Sequence, residues 1–146
     1  MTAGPSLFIH IDGASRGNPG EAGFGVHVAS SEGRTLAELY GYLGHATNNV
    51  AEYQALIHAL RYAIRNGAHQ VRIFSDSELV VRQISGAYRV KHKDMVPLHR
   101  EASRLLAQIE DASLSHVPRE ENKDADRLAN RALDAKASSL DQEKPM

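Results

Sequence analysis

The chain has no cysteine among its 146 residues, so neither a disulfide framework nor a thiolate zinc site is available to it. No apolar run approaches the length of a membrane span, and the opening residues lack the basic stretch and long apolar segment of a secretion signal. A cytoplasmic setting without membrane contact is the expectation. There is no large excess of either charge: the formal net charge is -1 and the pI about 6.7, which does not announce a nucleic-acid binder. The glycine-rich stretch after Asp12 lacks the Gly-Lys-Ser/Thr ending and the immediate helix of a phosphate loop. No Ser/His/Asp arrangement can be read from the residue order. His10, His27, His45, His58 and His69 have no metal-ligand spacing among themselves, and their scatter favours structural or surface roles.

What is present is enough for one domain with a single core. Apolar residues make up 42% and charged residues 24%, ordinary values for a soluble globular protein. Alternation of apolar residues predicts a strand over 6–12, a turn over 14–20, and strands over 23–29 and 34–43 joined by a hairpin at 31–33. From Asn49 the period lengthens to about 3.6, predicting a helix that Asn66-Gly67 ends. A strand over 71–75, a helix over 77–85 closed by Gly86, a helix from Pro97 to about 110, and a strand over 114–117 follow. Asn122 is expected to cap a last helix with Ala125, Leu128, Ala129, Ala132 and Leu133 as its core stripe. Strands in series followed by strands alternating with helices imply an α/β fold, a mixed sheet with helices on its faces. The domain is expected to occupy 1–133; the polar tail 134–146 reads either as disordered or as docked on the sheet, which periodicity does not decide.

Ligands in such sheets bind beyond the carboxyl ends of strands. Asp12 and Asp76 stand there, Glu52 opens a helix, and Asp126 sits in the first turn of another. Each has an ordinary structural use. Asp12 before Gly13 suits a turn, and Glu52, three residues after Asn49, suits a capping box. Asp76 suits an N-cap, while Asp124 and Asp126 suit a helix N-terminus. As a set they do not, because carboxylates gathered at one sheet edge repel one another unless cations neutralise them. The set points to a metal-dependent site.

Ile11 to Gly20 (Ile-Asp-Gly-Ala-Ser-Arg-Gly-Asn-Pro-Gly), Thr47-Asn48-Asn49-Val50-Ala51-Glu52, Ser75-Asp76-Ser77 and Asn122-Lys123-Asp124-Ala125-Asp126-Arg127-Leu128-Ala129 together resemble type 1 ribonuclease H. The resemblance runs in order from about Leu7 to Leu133. It implies a five-stranded mixed sheet with helices on both faces. The implied activity is endonucleolytic hydrolysis of the RNA strand of RNA/DNA hybrids, leaving 3′-hydroxyl and 5′-phosphate ends. It implies two Mg²⁺ ions, with Mn²⁺ as substitute, held by Asp12, Glu52, Asp76 and Asp126. In that pattern Asp12 bridges both ions, Asp126 serves the one that activates water, and Glu52 and Asp76 serve the one facing the leaving oxygen. Asn18, Asn48, Asn49 and Ser77 are placed near the nucleic acid, with Gly13 allowing close approach of backbone to RNA. Amide side chains both donate to and accept from 2′-hydroxyls.

Two departures bear on the substrate. The long basic protrusion of many bacterial relatives is missing, with Arg89, Lys91, His92 and Lys93 as a modest substitute. The wider basic stretch, reaching Arg82 on one side and Arg104 on the other, reads equally as a nucleic-acid face or a solvated helix surface. His116 stands at the spacing of the family's mobile histidine but falls in a strand, so Arg119 is assigned to that region. Glu78 stands where many relatives carry Gln. The chain is expected to act as a monomer. Alternatives are a non-catalytic hybrid-binding module, which has no need of four repelling acids, and a related nuclease that also cuts duplex RNA or acts as an exonuclease.

Overall fold

Long-range pairing sets strand lengths that local alternation leaves short. The computed structural model describes residues 4–139. Strands β1 (Ser6–Arg16), β2 (Gly20–Ser30) and β3 (Thr35–Ala46) form an antiparallel meander. Helix α1 (Asn48–Arg65) then crosses to β4 (Gln70–Ser75), which lies parallel to β1. Helices α2 (Glu78–Ser85) and α3 (Val96–Leu106) lead to β5 (Asp111–His116), parallel to β4, and a short 3₁₀ turn (Arg119–Glu121) precedes α4 (Lys123–Ala135). The sheet has five strands in the order β3-β2-β1-β4-β5. Helices α1 and α3 pack together on one side of it and α4 covers β1, β2 and β3 on the other.

The stretch predicted as a turn over 14–20 is mostly strand: β1 continues to Arg16, paired with Glu21, and only residues 17–19 remain as the connection. β3 extends to Ala46. Helix α3 stops at Leu106 rather than near 110, because Asp111 already pairs with Gln70 at the start of β5. Of the tail from 134, residues 134–139 are in place against the sheet. α4 runs to Ala135, and Ser139 Oγ accepts the Tyr40 N–H at 2.8 Å on the edge of β3. The rest of the predicted tail lies outside the described residues.

Apolar stripes from these elements close the core, with Ile9, Ile11, Phe24, Val26, Tyr53, Leu56, Leu60 and Ile73 among its fully buried members. Burial of such side chains stabilises by roughly 1.5–3 kcal/mol each. Close approach of α4 to the sheet needs Gly25, where a Cβ would stand 2.3 Å from the Ala125 carbonyl oxygen. This contact carries the first turn of α4, and Asp126 with it, up to the end of β1. Among the described residues no helix is long and apolar enough to cross a membrane.

Candidate active site

The parallel pairing of β1 with β4 aligns their carboxyl ends. Asp12 follows Ile11, the register partner of Ser75, and Asp76 follows Ser75. Thr47 caps α1, its hydroxyl accepting from the Val50 N–H at 3.2 Å, which sets Glu52 one turn in and facing the sheet. Glu52 therefore does not act in a capping box with Asn49. Its Oε1 instead accepts the Gly13 N–H at 2.8 Å. Asp76 is not a helix cap either, since Ser77 takes that position for α2, accepting from the Val80 N–H at 3.3 Å.

Asp12, Glu52 and Asp76 bring carboxylate oxygens within 4.8 Å of one another. Asp126 lines the same cleft, of about 380 Å³, together with Gly13, Ala14, Ser15, Asn48 and Arg119. Asp12 is 6% exposed and Glu52 3%. Burial, then the Glu52 and Asp76 charges, hold the Asp12 carboxyl far above the ordinary carboxylate range. Burial likewise pushes Glu52 up, against the Gly13 N–H, which favours its ionised form. Glu52 Oε2 is buried and has no hydrogen-bond partner. A buried acceptor left bare costs about 1–3 kcal/mol, and a cation shared with Asp12 and Asp76 would remove that cost together with the repulsion. An all-oxygen donor set of this kind fits a hard divalent ion.

Asn122 ties the two halves of the site. It stands at the N-cap position of α4, as the sequence predicts, but its side chain makes no capping bond. Its Nδ2 donates to the Ile11 carbonyl at 2.8 Å, while its backbone carbonyl accepts the Asp126 N–H at 3.1 Å. One buried residue thus links the strand end that carries Asp12 to the helix turn that carries Asp126.

The remaining predicted residues divide. Asn48 and Arg119 line the cleft; Asn18, Asn49 and Ser77 do not. Asn18 Oδ1 accepts the Asn48 N–H at 3.1 Å, so it braces the first turn of α1 against the β1–β2 connection. Gly13 lines the cleft, yet the space its Cβ would fill is taken by α1, 2.3 Å from the Ala51 carbonyl carbon and the Glu52 nitrogen. Its lack of a side chain serves helix packing. His116 ends β5, exposed, and is not among the cleft residues. Ala14 and Ser15 are cleft residues that sequence reasoning misses; the glycine-rich pattern puts them in the turn, whereas β1 carries them along the cleft wall.

The family model described as reverse transcriptase-like matches residues 10–132. A bifunctional protein of Mycobacterium tuberculosis is 48% identical over 134 residues, covering 91% of this chain and 37% of that protein. The chain thus spans little more than a third of the length of that relative. The solved RNase H1 of Halobacterium salinarum superposes with a TM-score of 0.86 at 43% identity, covering 89% of this chain and 98% of that one. LC11-RNase H1, solved in complex with an RNA/DNA hybrid, superposes with a TM-score of 0.85 at 39% identity, covering 90% of this chain and 99% of that one.

Proposed function

The chain belongs to the type 1 ribonuclease H family, and from that premise we propose that it is an endonuclease hydrolysing the RNA strand of RNA/DNA hybrids. The observation that carries the proposal is the convergence of the Asp12, Glu52 and Asp76 carboxylates within 4.8 Å, in one open cleft with Asp126. Asp12, Glu52, Asp76 and Asp126 would hold two Mg²⁺ ions, with Mn²⁺ as substitute. When bound, the ions supply positive charge to both the attacking and the leaving oxygen of an in-line phosphodiester hydrolysis.

The protein's own contribution is placement. The Gly13 N–H fixes one Glu52 oxygen and leaves the other directed to the acid cluster. Asn122 holds Asp12 and Asp126 in register with each other. The Asn48 amide, on the cleft wall, offers donors and an acceptor to ribose 2′-hydroxyls, the groups that separate RNA from DNA. Arg119, exposed at the rim, supplies positive charge to the phosphate backbone. The basic segment after α2 supplies further charge: among the described residues Arg89, Lys91 and Lys93 form no ion pair. Because all four acids come from one chain, we propose a monomeric enzyme, and the lack of cysteine suits a cytoplasmic setting.

The proposal is tested by offering the protein three labelled duplexes of one sequence with Mg²⁺: RNA/DNA, RNA/RNA and DNA/DNA. Internal cuts confined to the RNA of the hybrid, ending in 3′-hydroxyls, are expected. Equal cutting of the RNA duplex would shift the reading to a broader duplex ribonuclease. Binding of the hybrid without cutting would make the chain a hybrid-binding module.

A further inference from the structure

Behind the cleft, strand pairing creates a donor set that residue spacing does not reveal. His10 and His27 are direct partners in the antiparallel register of β1 and β2. Their side chains therefore leave the same face of the sheet, side by side, with Cβ atoms about 5 Å apart in pairs of this type. A third donor comes from α4, where Asp124 Oδ2 lies 4.0 Å from His27 Nε2. The three residues open on a cavity of about 240 Å³ that Ser30 and Ser31 also line. Neither histidine takes part in the cleft.

From this juxtaposition we propose a second cation site, formed by His10, His27 and Asp124, for a transition metal of the zinc class. Two imidazoles and one carboxylate are a donor set of zinc sites that keep an open coordination position. It differs in kind from the all-carboxylate cleft, because imidazole nitrogen suits zinc, nickel and copper whereas carboxylates alone suit magnesium and manganese. Binding displaces the Thr35 hydroxyl, which now lies 3.1 Å from His27 Nε2. It also turns His10 away from Phe74, on which its ring is stacked with centroids 4.9 Å apart. Asp124 is exposed, and its contact with Arg127 is a loose 3.7 Å, so it is free to close on the ion. Glu121 adds a further negative charge within electrostatic reach of His10.

The placement has a structural consequence. His10 precedes Asp12 by two residues on β1, and Asp124 precedes Asp126 by two on α4. An ion joining His10 to Asp124 therefore clamps together the two elements that carry Asp12 and Asp126, without entering the cleft.

The test is calorimetric titration of the full chain with zinc chloride, in an Asp12→Asn background that weakens cation binding in the cleft. One equivalent of zinc is expected. Adding His27→Asn or Asp124→Asn should weaken binding by at least about tenfold, while His69→Asn, at the far end of the sheet, should leave it unchanged. Asp124 is exposed at 62% of its side chain, so its variant should fold; the His27 side chain is 12% exposed, and circular dichroism checks the fold of both variants. Absence of zinc binding in the Asp12→Asn protein, or binding that survives both substitutions, would overturn the proposal.

Discussion

Glu52 accepts the backbone N–H of Gly13 at 2.8 Å, a buried bond that joins the start of α1 to β1 across 39 residues. One carboxylate oxygen serves the fold, and the other is buried without a hydrogen-bond partner beside Asp12 and Asp76. The two roles separate by mutation. Glu52→Gln keeps an acceptor for Gly13 and removes the charge, so metal-free stability should be at least that of the parent while cleavage is lost. Glu52→Ala strands the Gly13 N–H and should cost about 1–3 kcal/mol. Thermal unfolding in a chelator, beside a cleavage assay, distinguishes them; equal destabilisation by both variants would mean that the bond to Gly13 is not what Glu52 contributes to the fold.

Stability without metal should fall as pH rises. Burial raises the folded-state pKa of Glu52 from its ordinary 4.5 to about 7, and raises that of Asp12 further. The folded state then binds more protons than the unfolded one, so stability is full below about pH 4 for these two groups and is lost as pH climbs through 7 and beyond. His10 and His58, held below their ordinary value of 6.5 chiefly by burial, act in the opposite sense, costing stability as pH falls below that value. The comparison is therefore made against Asp12→Asn, which leaves both histidines in place. At pH 8 in a chelator the variant should melt several degrees higher than the parent, at about 2–4 °C per kcal/mol for a domain of this size. Mg²⁺ should close the gap. Melting temperatures that coincide at pH 8 would contradict the account of Asp12.

How much of this is legible in the chain depends on distance in sequence. The four acids can be found because each stands at a strand end or helix start, and those are marked by local pattern. What Glu52 does there is not legible: a glutamate three residues after Asn49 looks like a capping box, and only the closed fold shows Thr47 as the cap and Gly13 as the partner. Asn122 misleads in a similar way. Local pattern puts it at the head of α4, where it stands, but its amide is used on Ile11, across 111 residues. Ala14 and Ser15 are hidden in the glycine-rich turn because pairing with β2, which keeps them in the strand, leaves no local trace. His10 and His27 fail every spacing test and meet only through register.

Asp124 and Asp126 stand in the same helical turn, and the fold separates them. Asp126 lines the cleft, whereas Asp124 is exposed, with Arg127 at 3.7 Å. Asp126→Asn should lower kcat on the order of 10²-fold or more, the scale of removing one electrostatic stabiliser of a transition state. Asp124→Asn disturbs surface pairs worth about 0–1 kcal/mol and should change kcat less than about fivefold. Steady-state kinetics on the hybrid decides it, and the reverse order would overturn the assignment.

Neutralising Arg89, Lys91 and Lys93 together should weaken hybrid binding while leaving kcat at saturation nearly unchanged. For every phosphate that the variant no longer neutralises, the dependence of log K on log salt concentration should flatten by about 0.7–0.9. Binding measured over a salt series tests this. An unchanged slope would mean that the segment after α2 is merely a solvated surface.

The central claim is that the converged carboxylates make this chain a metal-dependent nuclease. Its most direct test is cleavage of an end-blocked RNA/DNA hybrid with Mg²⁺ or Mn²⁺, comparing the parent with Asp76→Asn. The account predicts internal cuts in the RNA strand by the parent, none in a chelator, and loss of cutting in a variant that still folds and still binds the hybrid. A parent that binds the hybrid but cuts it with neither ion, or an Asp76→Asn variant that cuts as well as the parent, would contradict it.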